Sequence, residues 1–126
     1  MLSSTIKIVL FLTIILSFSK SSFAQEESYV TVAQVLPQPV GGIEAINKHI
    51  TYPKTAKKAG VSGKVYILAY INENGKVENT KIIKSLGAGC DEEVVNAVKS
   101  TKFNPGKNDG VPIKMKLILS FTFKET

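Results

Sequence analysis

Few side chains in this sequence have the type and spacing that covalent chemistry needs, and each has a plainer reading. Cys90 stands directly before Asp91-Glu92-Glu93 at the start of a helical pattern. A helix dipole there can lower a thiol pKa and create a nucleophile or redox group, while the alternative is simple packing. It is the only cysteine, so it cannot close an internal disulfide. His49 is the only histidine, and as a metal ligand it would have no second ligand at metal spacing. The three acidic residues could pair for acid and base work, yet an acidic first turn facing a helix dipole explains them at lower cost. There is no Ser/His/Asp set, no Gly-rich phosphate loop and no HxxxH. The expectation is no catalytic residue, no metal, no cofactor and no small-molecule substrate. Lys114, Lys116 and Lys124 form a basic strip suited to acidic peptide segments, and outward lysines also guard an exposed strand against edge-to-edge aggregation.

All sixteen basic residues are lysine, so the formal charge of +6 carries no guanidinium fork for phosphates or base edges. Nucleic acid is therefore not expected as a partner. A chain of 126 residues, 44% hydrophobic and 21% charged, fits one globular domain. Its first segment reads as a secretory signal: Met1 to Lys7 is a basic start, Ile8 to Phe18 an apolar run, and Ser22-Phe23-Ala24 a small-residue cleavage site. The expected divisions are a signal peptide over 1–24, an extended arm over 25–38 and a folded domain over 39–126. The rival is an uncleaved anchor, but only 12 residues separate Lys7 from Lys20, against about 20 needed to cross the hydrocarbon core. Without Lys7 and Lys20, 14 Lys face 10 Asp+Glu, a net of +4. The chain is expected to be exported, with a mature start at Gln25, and an uncleaved membrane anchor is the alternative.

The elements follow from periodicity and punctuation. Tyr29 to Val35 is β-branched and extended, and Pro37, Pro39, Gly41 and Gly42 end it. Ile43, Ile46 and Ile50 share a helix face, and Pro53 to Ala59 is a second short helix before Gly60. Lys64 to Asn72 is apolar on both faces and predicts a central strand. In the following hairpin, a three-residue loop with Gly75 in the left-handed region pairs Ile71 with Val77, whereas a two-residue loop would set Ile71 against Glu78. Lys76 to Lys84 puts Val77 and Ile83 on one side and Ile82 on the other, which predicts a bulge near Asn79. Asp91 to Thr101 is the strongest helix, with Val94, Ala97 and Val98 as its stripe. After Asn104-Pro105-Gly106 a polar loop reaches Gly110, and Ile113 to Phe123 alternates as one long strand. Ile113, Met115, Leu117, Leu119, Phe121 and Phe123 face the core, and Lys114, Lys116, Ser120 and Thr122 face away. The fold class is α+β: a three-stranded sheet of order two, one, three, both pairings antiparallel, with helices on one face and the last strand as a free edge.

These residues resemble the C-terminal domain of the TonB family. Its spaced Tyr-Pro, Ala, Gly, Gly and Val appear as Tyr52-Pro53, Ala56, Gly60, Gly63 and Val65. Gly75 and Val77 of the hairpin, and Ser85 and Gly87 before the long helix, follow in family order. The run Gly89-Cys90-Asp91-Glu92-Glu93, Phe103-x-Pro105-Gly106, Gly110-x-Pro112 and the Pro39-x-Gly41-Gly42 turn are similar to a Bacteroidetes-type branch. The resemblance covers about residues 39–123, and many members carry an apolar residue where Cys90 stands, which favours packing for it. It implies a periplasmic module of an energy-coupling system that binds an extended segment of an outer-membrane transporter, or another envelope protein, by strand addition. The implied contact residues are Lys114, Met115, Lys116, Leu117, Ile118 and Leu119 on the last strand, with His49, Tyr52 and Pro53 beside them. Where the family's transporter-contacting pattern reads Gln-Pro-x-Tyr-Pro, this chain has His49-Ile50-Thr51-Tyr52-Pro53. Two alternatives come from other classes: a membrane-anchored energy transducer, and a structural homodimer that pairs its own edge strands.

Overall fold

The computed structural model describes residues 29–125; the predicted signal segment and the first residues of the arm lie outside them. Strand β2 (Gly63–Ile71) is central because apolar residues occupy both of its faces. Val65, Ile67, Ala69 and Ile71 are fully buried, and Tyr66, Leu68 and Tyr70 are half-buried on the reverse face. Strand β3 (Val77–Lys84) and the last strand, β7 (Met115–Phe123), flank it, and both pairings are antiparallel. The order β3-β2-β7 is the predicted two, one, three.

Three helices supply the other layer: α1 (Ile43–Asn47), α2 (Lys54–Lys58) and α3 (Cys90–Lys99). Cys90, Val94, Ala97 and Val98 of α3 form one buried stripe at helical spacing. Together with Ile46 of α1, Ala56 of α2, and Phe121 and Phe123 of β7, they close the core over the odd-numbered face of β2. Burying each such aliphatic or aromatic side chain is worth about 1.5–3 kcal/mol. Asp91 ties the β3 to α3 loop to the helix start. Its carboxylate accepts the Ser85 hydroxyl, the Leu86 amide at 2.9 Å and the Gly87 amide at 3.4 Å.

The β2–β3 hairpin pairs Ile71 with Val77 and holds Gly75 at φ 81°. A second reason for glycine there comes from outside the hairpin. A Cβ would sit 1.7 Å from the Phe103 carbonyl oxygen, and the Phe103 amide donates to the Gly75 carbonyl at 2.9 Å. Strand β3 has two irregularities rather than one. The register shifts between Tyr70 and Ile71, at Glu78, and again between Tyr66 and Ile67, at Ile83. Ile82 therefore joins Val77 on the core side, and Ile83 is 53% exposed. This reverses the expected grouping, because the extra residue at each bulge resets the alternation.

The chain between α3 and β7 is more ordered than a polar loop. Strand β1 (Gln38–Pro39) pairs with β4 (Phe103–Asn104), and β5 (Gly106–Asn108) forms a hairpin with β6 (Val111–Ile113). Asp109 and Gly110, at φ 50° and 75°, make the two-residue turn of that hairpin. The expected single strand from Ile113 to Phe123 is consequently broken at Lys114: Ile113 pairs with Gly106, whereas Met115 pairs with Ile71.

Candidate functional site

The site is built on β7, an edge of the sheet. A strand turns the amide and carbonyl of one residue to one side and those of the next to the other. The Lys116 amide donates to the Val30 carbonyl at 2.9 Å, and the Val30 amide donates to the Lys114 carbonyl at 3.1 Å. Even-numbered residues of β7 therefore turn their main chain away from β2, and odd-numbered residues turn theirs toward it. Lys116 and Ile118, predicted as contacts, present main chain outward; Met115, Leu117 and Leu119 pair with Ile71, Ala69 and Ile67. Beyond the predicted range, Ser120 and Thr122 extend the outward set. Among the described residues, the outward amides of Ile118, Ser120 and Thr122 have no main-chain partner.

The first part of this edge is occupied by the chain's own arm. Val30 makes a parallel bridge with Met115. Tyr29 sits edge-on to Tyr70, with centroids 5.1 Å apart at 89°, donates its hydroxyl to the Glu78 carboxylate, and lies under the Lys114 ammonium at 5.5 Å. Burial and the Glu78 carboxylate push the Tyr29 phenol up to about 12, while the hydrogen bonds from Tyr29 and Asn72 hold Glu78 below the usual carboxylate range. Farther on, Val35 and Lys107 exchange two main-chain bonds of 3.0 and 2.9 Å, and Gln34 bonds Asn108 and Asp109. The sequence signal for this docking was weak, because Tyr29 to Val35 reads as a strand without naming its partner.

The other end of the edge opens into a groove of about 470 Å³ between α1 and β7. Ile43, Asn47, Ile50, Tyr52, Phe121 and Phe123 line it, with Ser120, Thr122 and Lys124 along the strand. Tyr52 is fixed there by its hydroxyl bond to the Val61 carbonyl and by an edge contact with Phe123, 5.5 Å between centroids at 77°. The Lys57 ammonium covers the Tyr52 ring at 5.4 Å. Of the three residues predicted beside the strand, Tyr52 lines the groove. Pro53 packs against Gly89 as the residue before α2, and His49 is exposed on the turn after α1. Ile43, Asn47, Ile50 and Phe123 were not anticipated here; the α1 periodicity marked its isoleucines for burial but not for a surface groove.

Cys90 is fully buried, and burial together with the charges of Asp91, Glu92 and Glu93 pushes its thiol up. That environment suits packing rather than nucleophilic chemistry. For Asp91, burial acts upward, but the bonds from Ser85, Leu86 and Gly87 outweigh it and leave the carboxyl below its usual range. The acidic first turn is thus structural. Among the described residues no group of three or more His, Cys, Asp or Glu is gathered as for a metal, and no helix is long and apolar enough to cross a membrane.

The motifs thus sit on an α+β domain whose three-stranded sheet has one edge partly open. Residues 48–124 match the family described as Gram-negative bacterial TonB protein C-terminal, and the chain belongs to that family. It is similar to Protein TonB of Vibrio cholerae serotype O1, with 30% identity over 74 residues that make up 58% of this chain and 30% of that protein. The chain therefore spans under a third of this relative's length. It also resembles the NMR solution structure of the Helicobacter pylori TonB-CTD, at 24% identity and a TM-score of 0.44, covering 64% of this chain and 86% of that one.

Proposed function

We propose that this chain is a periplasmic binding module of the cell envelope. It takes an extended segment of an outer-membrane transporter, or of another envelope protein, by strand addition to the edge of β7, in the service of energy-dependent transport. The observation that carries this reading is the row of outward main-chain groups at Ile118, Ser120 and Thr122. An added strand gains there the hydrogen bonds that water otherwise supplies, and the gain does not depend on side-chain identity. Family membership supports the envelope and transport setting.

The test is a proline scan from Lys114 to Thr122, read by circular dichroism for folding and by titration with synthetic peptides from transporter N-termini. Ser120→Pro removes an outward N–H and is expected to abolish binding in a folded protein. Leu119→Pro removes an N–H directed at Ile67 and is expected to damage the fold. Normal binding by folded Ile118→Pro and Ser120→Pro variants overturns the reading. If the protein instead self-associates in sedimentation and Ser120→Pro abolishes that, the edge serves a homodimer. The expected export is checked by mass spectrometry of the native chain, which should begin at Gln25.

A further inference from the structure

We propose that the sheet face turned away from the helices is a docking surface for an acidic, extended segment of a partner protein. Strand addition uses the main chain along the rim of β7. This surface is made of side chains from all three strands, so it goes beyond that reading and does not depend on it. Its residues follow from the register. Tyr66 stands between Lys84 and Ser120, Leu68 between Lys81 and Ile118, and Tyr70 between Asn79 and Lys116, while Lys64 pairs with Thr122. Side chains paired across a ladder share a face, and the alternate residues Val65, Ile67, Ala69 and Ile71 are buried on the other. Lys64, Lys81, Lys84 and Lys116 are the only charges in these rows, which contain no Asp or Glu. Glu78, at the neighbouring bulge, is taken up by the Tyr29 hydroxyl and the Asn72 side-chain amide, and it faces Lys114.

The placement of the charges decides the occupant. The Lys84 ammonium lies over the Tyr66 ring at 5.8 Å, and that of Lys116 over the Tyr70 ring at 5.6 Å. The ring quadrupole attracts a cation there, so each ammonium is presented above the sheet rather than at its margin. Tyr66 and Tyr70 are four residues apart on β2, about 13 Å at roughly 3.3 Å per residue. Between them Leu68 and Ile118 lie side by side, and Ile118 is 60% exposed. An extended segment with carboxylates four residues apart matches the two ammoniums. Its midway residue falls on the same side of the segment and rests on Leu68 and Ile118. A bilayer surface is the poorer match, because the ammoniums cap the two rings that would enter it and leave only a narrow apolar strip.

The experiment uses the protein recovered from expressing cells, labelled with 15N and with 13C at its Ile and Leu methyls. The probes are the peptide Ac-Ser-Asp-Ser-Leu-Ser-Asp-Ser-NH2 and the same peptide with both Asp replaced by Asn. The Asp peptide is expected to bind at least about fivefold more tightly than the Asn peptide, with methyl shifts at Leu68 and Ile118. Lys81→Gln with Lys84→Gln, both exposed on β3 and away from the β7 edge, is expected to bring that ratio below about twofold. Lys99→Gln with Lys102→Gln, the same change of charge at exposed positions off this face, is expected to leave it unchanged. An equal loss in the second pair means attraction to net charge alone and overturns the surface. So does a preference that survives the first pair with shifts only at the Ile118, Ser120 and Thr122 amides, which places the carboxylates at the β7 edge. Equal binding of the two peptides, or none, overturns it as well. If the peptides show no preference but the unaltered chain holds phosphatidylglycerol vesicles that the first pair releases, the occupant is a lipid surface. If the preference emerges only after Glu26→Gln with Glu27→Gln, the chain's own acidic segment is the occupant and the partner proposal fails.

Discussion

The two ends of β7 share one inward face and differ in what meets their outward side. At the Met115 end the arm supplies a strand residue, Val30, together with the anchored ring of Tyr29. At the Phe121 end nothing among the described residues pairs with the outward amides, and a groove opens beside them. The inward side chains are equally committed, with Met115 wholly buried and Phe121 and Phe123 nearly so. The difference teaches that stability and availability are separate properties of an edge strand. Side chains packed into the core hold the strand in place, while the main chain facing outward is covered at one end and open at the other.

The largest expected effects test the shared part of that comparison. Met115→Ala and Phe121→Ala each leave a cavity and should cost about 2–5 and about 3–5 kcal/mol respectively in urea melts. A much smaller loss at either position would mean that the two ends are not equally packed. Next comes Gly106. A Cβ there would lie 2.2 Å from the Met115 sulfur and 3.2 Å from the Val35 carbonyl, so Gly106→Val should overpack the covered end and destabilise by about 1–3 kcal/mol. The same melt on Gly110→Val, where nothing stands within 4 Å of a Cβ but φ is 75°, separates backbone strain from overpacking.

Val30→Pro addresses the difference between the ends directly. It removes the amide that donates to the Lys114 carbonyl, and should lower stability by only about 0.5–1.5 kcal/mol. Its clearer readout is hydrogen exchange. The Lys116 amide should be better protected than that of Ser120 in the unaltered chain and should fall to the same level in the variant; equal protection beforehand would remove the contrast.

The smallest effect is electrostatic. The Tyr29 phenol ionises near 10 when released and near 12 when docked. Docking therefore favours the protonated form, so this contribution is fully present below pH 10 and fades as pH rises toward 12. Absorbance at 295 nm should show tyrosines ionising above pH 10, because burial raises Tyr52 as well, and Tyr29→Phe should remove the component near 12. An unchanged titration in the variant would mean that Tyr29 is not held by Glu78.

Elements with a strong local pattern were legible in advance. The two-sided apolar run fixed β2 as the centre, the stripe of Val94, Ala97 and Val98 fixed α3, and the clash of Ile71 with Glu78 selected the Gly75 loop. What escaped depends on partners distant in sequence. The break at Lys114 follows from the Asp109-Gly110 turn, a two-residue hairpin signal passed over as polar loop because its flanking strands are only three residues each. The position of Ile83 depends on a bulge that plain alternation cannot locate. The outward parity of β7 became readable only through the Val30 bonds, and the groove exists because α1 lies beside the strand's far end, a tertiary placement that helix periodicity does not encode.

The arm's attachments also give the chain a mechanical sequence of events. Tension entering upstream of Tyr29 meets the docked Tyr29 side chain and, beside it, Val30, whose two main-chain bonds belong to one residue and therefore yield together. The next anchors are Gln34 on Asn108 and Asp109 together with Val35 on Lys107, and then Gln38-Pro39 on β4. Yielding there frees residues 31–33, about 10 Å of extended chain at roughly 3.3–3.6 Å per residue. The arm is thus expected to lengthen in a discrete step before β2, β3 and α3 unfold. A single-molecule extension trace of the unaltered chain should contain that step at low force, and a trace of Val30→Pro should lack it.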